Sequence, residues 1–315
     1  MRRPKWLNVQ TATNNPNTFR GHAWDAAVLK DIEFQQDWLI DKLLPPEGRL
    51  LVVAPGKTGK SIFVMDMMHA AATGESFLGF NIPRALRIHY LDFEVGPILM
   101  RDRLRKQGLI HDLPRGRLFV TCFPDSLDAG LIAVPDIDIF VIDPAISLRY
   151  GDENNSAVIR GHLDDLHRKC RDLGAAVIVV HHTRKESRDA NVRNRGLQES
   201  RGSSAFTDWM DTGIALRTVE EGTSYELTFL TRGSENPPTM VVGRDSTSLT
   251  YHLQDGTITM EDAARASEEE WRANNLFART KVMPKNELVK QLATRTGKSR
   301  ASCYRWVAEY RPDAA

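Results

Sequence analysis

The residues best suited to chemistry stand in one run near the start of the chain, Ala54-Pro55-Gly56-Lys57-Thr58-Gly59-Lys60-Ser61, followed by Ile62. A phosphate chain needs inward-turned backbone N–H groups, the positive end of a helix dipole and a side-chain cation. Gly56 and Gly59 permit the tight path, Lys60 can reach β- and γ-phosphates, and Ser61 can ligate Mg²⁺. Pro55, Gly56, Lys57, Thr58, Gly59, Lys60, Ser61 and Ile62 are therefore the expected binding segment for ATP with Mg²⁺. Such loops usually open with Gly where this chain has Ala54. Lys60 is expected to face solvent when no nucleotide is bound.

Three further runs complete a possible site. Ile137-Asp-Ile-Phe-Val-Ile142-Asp143 is an apolar run ending in a carboxylate, as a buried strand would deliver to a metal at the sheet's C-terminal edge. Asp143 and Ser61 are the expected metal ligands. Leu91-Asp92-Phe93-Glu94 ends another apolar run, and hydrolysis of a phosphoanhydride needs a carboxylate to orient or deprotonate water. Pro144 follows Asp143, so that carboxylate cannot be adjacent there. Glu94 fills the role; Asp92 is the competitor, expected deeper in its strand. Val179-Val180-His181-His182 ends the most strand-like run of the chain, and His182 can sense a γ-phosphate and pass the signal onward. No carboxylate or Cys stands at ligand spacing from the His pair, which argues against a metal there.

These residues need a sheet that brings strand ends together. The runs 49–54, 86–92, 117–122, 137–142 and 175–180 read as buried strands, and 60–72, 95–107 and 155–173 as helices. Alternation of strands with such helices predicts right-handed βαβ units and a parallel sheet. After Gly213, short strands at 213–217, 224–231, 239–242 and 249–253 alternate with turns and should extend that sheet as antiparallel hairpins. Residues 1–35 read as a polar arm, 36–258 as an α/β nucleotide-binding domain and 259–280 as a helical linker. Residues 281–315 read as a small all-α module.

The phosphate loop, Glu94, Asp143-Pro144 and His181-His182-Thr-Arg-Lys, in this order, resemble the RecA-like P-loop ATPases. The closest resemblance is to the RepA type, hexameric replicative helicases of plasmids and phages. Asp37-Trp-Leu-Ile40, Leu43-Leu-Pro45 and Arg201-Gly-Ser-Ser204 extend the match to about residues 36–245. The resemblance implies that Lys60 and Ser61 bind nucleotide and Mg²⁺, Asp143 supports the metal, Glu94 activates water and His182 is the sensor. It also implies a homo-oligomeric ring, a hexamer, whose subunit interfaces are completed by a cation from the neighbour. RepA-type chains carry an Arg soon after the RGSS run, where this chain has Asp211. Arg232, at the end of a late strand, is then the expected finger, with Arg201 the alternative. In such rings the loop after the sensor lines a channel for single-stranded DNA. Here that loop, 183–200, carries Arg184, Lys185, Arg188, Arg193 and Arg195, which suits sequence-independent phosphate contact. Arg149 and Tyr150 would form a second channel loop.

Composition agrees with a globular protein: of 315 residues, 41% are hydrophobic and 26% charged. No run approaches the apolar length a membrane helix needs, no secretory signal is visible, and three dispersed cysteines suit a reducing cytoplasm. From Trp271 onward ten Lys/Arg face three Asp/Glu, a net of +7, leaving −6 for the rest of a chain whose total is +1. That basic tail holds two short amphipathic runs, 285–293 and 299–309, joined around Gly297 and resembling a helix-turn-helix. Ala301, Tyr304 and Ala308 share one face, leaving Arg300, Ser302 and Arg305 free for a major groove; docking of a protein is the alternative use. The expected function is an ATP-driven DNA motor, a RepA-like replicative helicase. An ATPase that loads proteins on DNA, or a regulator that uses ATP only to assemble, stays open as an alternative.

Overall fold

The computed structural model describes residues 37–108, 113–145, 156–182, 203–220, 222–232, 235–254, 285–296 and 299–310. The first half alternates β1 (Arg49–Ala54), α1 (Lys60–Thr73), β2 (Ile88–Asp92), α2 (Pro97–Lys106), β3 (Leu118–Cys122) and α3 (Leu127–Ile132). Then follow β4 (Ile139–Asp143), α4 (Ser156–Asp172), β5 (Ala176–His182) and α5 (Ser203–Trp209). Four strands come next: β6 (Thr212–Glu220), β7 (Ser224–Thr231), β8 (Met240–Arg244) and β9 (Tyr251–Leu253). Two helices end the described chain, α6 (Lys285–Thr296) and α7 (Arg300–Tyr310).

The strands form one sheet in the order β3-β2-β4-β5-β1-β6-β7-β8-β9. From β3 to β6 neighbours are parallel, and β7, β8 and β9 add antiparallel. The expected sheet is therefore present, with one correction: β6 is not part of an antiparallel hairpin alone but pairs parallel with β1, Leu50 opposite Thr212. The two short helices α3 and α5 were not legible as separate elements. α3 is capped by Ser126, whose side chain accepts from Ala129 N at 3.1 Å.

Alternation along each strand sorts the core into two layers, since successive side chains leave opposite faces. Leu50 and Val52 of β1, Ile139 and Val141 of β4, and Ile178 and Val180 of β5 pack with Phe63, Met67 and Ala71 of α1. Leu51 and Val53, Phe140 and Ile142, and Val177 and Val179 pack on the other face with Leu163 and Leu166 of α4 and Phe206 and Trp209 of α5. Both faces are covered, which is why the strands read as unbroken apolar runs. Each such fully buried aliphatic side chain contributes about 1.5–3 kcal/mol of transfer free energy. α1 ends at Gly74, at φ 80°, whose N–H returns to Ala70 O.

The C-terminal pair has its own small core of Leu288, Val289, Leu292, Cys303 and Val307. The packing face of α7 is thus not the one expected. Cys303 and Val307 are buried, whereas Ala301 and Tyr304 are exposed, and the Tyr304 hydroxyl donates to Asn286 Oδ1 at 2.8 Å. Cys303 and Val307 lie four residues apart, one helical turn, and are the more apolar pair. Arg300 and Arg305 are exposed as anticipated. The polar arm, the helical linker, the basic loop 183–200, Arg201, and Arg149 with Tyr150 lie outside the described residues. Among those described, no helix is long and apolar enough to cross a membrane.

Candidate active site

Strand parity decides which functional groups share a face. In β5, Val177 and Val179 belong to the α4 layer and Ile178 and Val180 to the α1 layer, so His181 and His182 must diverge. His181 accordingly stacks on Phe206, with ring centroids 4.0 Å apart. His182 falls on the α1 side, and the register sets it opposite Ala54, the last residue before the phosphate loop. The same parity carries Tyr90, Asp92 and Asp143 to that side, with Asp92 opposite Asp143 across β2 and β4.

The loop from Pro55 to Gly59 turns back into α1. Lys57 has φ 66° and Gly59 φ 100°, a left-handed conformation that favours glycine. The Thr58 hydroxyl donates to Pro55 O at 2.8 Å. Lys60 does not face solvent, contrary to expectation: its relative exposure is 4%. Its ammonium donates to Ala54 O and Pro55 O, each at 3.0 Å, and lies 2.9 Å from His182 Nδ1. The loop carbonyls and the ring nitrogen stand in for phosphate oxygens as acceptors. Burial pulls the Lys60 pKa down to about 8, against the opposing pull of Asp143 and Glu94.

An ammonium can only donate, so His182 Nδ1 is the acceptor and the proton of the neutral ring is on Nε2. That nitrogen lies 3.8 Å from Glu94 Oε2. Lys60, His182 and Glu94, from α1, β5 and the turn after β2, are thereby joined around one ring.

The two candidate carboxylates after β2 occupy different environments. Asp92 is 1% exposed, and its oxygens accept from the N–H groups of Glu94 at 3.2 Å, Val95 at 3.0 Å and Gly96 at 2.8 Å. It is saturated with bonds that shape the turn. Glu94 projects from that turn, with a side chain 57% exposed. Of these two carboxylates, Glu94 is the one open to water.

Asp143 ends β4, almost wholly buried, and accepts from the hydroxyls of Tyr90 and Ser61. Burial raises its pKa, the two hydroxyls oppose this, and Asp92 and Glu94 add to it. Such a carboxylate is stabilised by a nearby cation. Ser61 and Asp143 are hard oxygen donors in contact, and a hydroxyl with one carboxylate suits Mg²⁺, which takes its other ligands from phosphates and water. The residues present fit that ion. No described cluster of three or more His, Cys, Asp or Glu offers an all-protein metal site.

The AAA domain family matches residues 15–188, more than half of the chain. The chain belongs to the AAA domain family. Among solved structures, this AAA domain is similar to one described as an ATPase domain, with a TM-score of 0.54, 13% identity and coverage of 66% of this chain and 85% of that one. It is also similar to a DnaB-like replicative helicase described with its interactions with primase, with a TM-score of 0.52 and 14% identity. That alignment covers 66% of this chain and 58% of the helicase. No curated protein matches in sequence. The likeness places the family domain here in the RecA-like P-loop fold.

Arg232, the expected finger, lies apart from the loop. Arg232 follows β7 at the end of the sheet where β1 begins: its N–H donates to Asp211 O at 2.7 Å, and its guanidinium bonds to Asp208 O. Asp211 in turn grips Arg49 through both carboxylate oxygens. The phosphate loop stands at the opposite end of β1, so Arg232 cannot reach the loop of its own chain. Arg184, Lys185, Arg188, Arg193 and Arg195 lie outside the described residues, and Arg300 and Arg305 are on α7.

Two residues beside the site were not anticipated. Tyr90 is on the α1 face one position before Leu91, and the two-residue period could have singled it out as the neighbour of Asp143. Tyr251 comes from β9, far along the chain: its hydroxyl donates to Gly59 O at 3.3 Å and its N–H to Asp66 Oδ2 at 2.7 Å. Nothing local announces that contact.

Proposed function

We propose that this protein is an ATP-hydrolysing motor acting on DNA, a RepA-like replicative helicase of a plasmid, phage or other mobile element. In this reading it works as a hexameric ring with ATP at its subunit interfaces. The observation that carries the reading is the convergence of Lys60, His182 and Glu94 on the phosphate loop. Lys60 and the backbone of Pro55–Ile62 bind the triphosphate. Ser61 and Asp143 would hold Mg²⁺, which supplies charge neutralisation on the phosphates. Glu94 orients the attacking water, with its carboxylate exposed toward the site and unencumbered by backbone bonds. When a phosphate draws Lys60 away, His182 Nδ1 loses its donor, and the ring reports this to the basic loop that follows β5. Arg184, Lys185, Arg188, Arg193 and Arg195 contact single-stranded DNA there. Arg232, remote from its own loop, serves a neighbouring subunit. Residues 1–35 form an arm, 36–258 the ATPase domain, 259–280 a linker and 281–315 a helix-turn-helix module whose Arg300 and Arg305 meet duplex DNA or a protein.

The deciding experiment is ATP-dependent unwinding of a forked DNA by the full chain and by Lys60→Ala. Unwinding by the first alone is the expected result. DNA-stimulated ATP turnover without strand separation would replace the helicase with a loader, and binding without turnover would leave an assembled regulator.

A further inference from the structure

The far wall of the phosphate loop is built by the antiparallel end of the sheet, outside the family match at 15–188. Arg244 ends β8 there. Its N–H donates to Thr223 O at 2.8 Å, its Nη2 to Gly222 O at 3.0 Å, and its guanidinium lies 5.3 Å from the centre of the Tyr225 ring. The side chain also hydrogen-bonds Tyr251, the residue that touches Gly59 O. These contacts aim the guanidinium at the start of α1: a methyl group placed on Gly59 would fall 2.5 Å from Arg244 Nη1.

This cation is incompletely satisfied. Its Nε is buried with no partner among the described residues, and no described carboxylate stands within 4.0 Å of it. A half-buried guanidinium without a counter-charge is unfavourable, and the group that best relieves it is an oxyanion able to accept from its planar fork. The loop it leans on is an oxyanion cradle. We propose that Arg244 is a second cation of the nucleotide site, engaging a phosphate oxygen of the bound nucleoside triphosphate from the same chain as Lys60. The inference rests on the nucleotide-binding reading of the loop, and it makes the β8–β9 extension part of the substrate site.

The test is calorimetric titration of the full chain with ATP and, separately, with inorganic tripolyphosphate, for wild type, Arg244→Gln and Arg244→Lys, alongside melting of each ligand-free protein. A charge-assisted hydrogen bond lost from a site typically weakens binding about tenfold or more. Arg244→Gln should lose that much for both ligands, Arg244→Lys should recover part of it, and ligand-free melting should stay near wild type. Wild-type affinity in Arg244→Gln overturns the inference while the reading of the loop stands. Equal losses in both variants with a lower ligand-free melting temperature also overturn it, because Arg244 would then only pack the loop. If wild type binds neither ligand, the nucleotide reading itself falls and the inference with it.

Discussion

Lys60 Nζ donates to His182 Nδ1 over 2.9 Å, so the cation of the phosphate loop and the last residue of the adjoining strand satisfy each other. The contact spans α1 and β5; in the proposed reading, a phosphate that engages Lys60 would take this hydrogen bond from His182. Burial, in contrast, makes the ammonium a costly charge at this position, as its lowered pKa reflects.

Replacing that ammonium should therefore separate function from stability. Lys60→Met keeps the length of the side chain and removes the desolvated charge, so nucleotide-dependent activity should vanish while the ligand-free fold holds. The folded pKa, about 8, is below the ordinary 10.5, so the unfolded chain binds more protons between these values. Wild-type stability relative to Lys60→Met should consequently rise as pH increases from about 8 toward 10.5. Chemical denaturation across that range checks it, and a flat difference would mean that Lys60 is not desolvated.

Glu94→Gln should retain ATP binding and lose turnover by about 10²-fold or more, because the amide keeps the shape without the base. Asp92→Asn should behave differently. Three backbone N–H groups lean on the Asp92 carboxylate, so the change should lower stability by about 1–3 kcal/mol. Steady-state hydrolysis with denaturation of both variants decides the assignment, and a stable but inactive Asp92→Asn beside an active Glu94→Gln would reverse it.

Asp66 is a second buried charge, on α1, whose pKa burial raises to about 6 against the hydrogen bond from Tyr251 N–H. Between the ordinary 3.8 and about 6 the folded state binds more protons than the unfolded one, so this group costs stability as pH rises through that window. Asp66→Asn keeps an acceptor for Tyr251 and removes the penalty. It should stabilise the protein at pH 7 by about 1–3 kcal/mol and have little effect at pH 4. Melting at the two pH values measures it, and equal shifts at both would refute the charge explanation.

The two basic segments should divide DNA binding between them. Arg193→Ala with Arg195→Ala should weaken single-strand binding and DNA-stimulated hydrolysis while sparing basal turnover. Each lost phosphate contact should reduce the salt slope by about 0.7 on single strands. Deleting residues 271–315 should cost duplex or partner binding and leave hydrolysis largely intact. Titrations against salt give the answer: an unchanged slope in the loop variant, with all single-strand binding lost on deletion, would place DNA on the tail alone.

How far the chain could be read from its residues depended on range. The strand-end positions of the phosphate loop, Asp143 and Glu94 were legible because each follows a short apolar run, and backbone geometry puts a polar residue there at the sheet edge. The two layers were legible as well: residues alternate along a strand by covalent geometry, and this already separates His181 from His182. The short α3 and α5 were not, because six- and seven-residue helices leave too few turns for a periodic pattern.

What only the tertiary structure decided concerns distance along the chain. Lys60 reads as an exposed cation, yet β5 delivers an acceptor to it from 122 residues away, and burial follows from that meeting. Asp92 and Glu94 are equivalent carboxylates in one dimension; the fold of the turn saturates the first with N–H donors and leaves the second open. Arg244 and Tyr251 carry no local signal at all. Their place beside Gly59 results from the order in which β6 to β9 add to β1, an arrangement set by packing of Tyr225, Leu227, Met240, Val242 and Tyr251 into the α1 layer and not by any single segment.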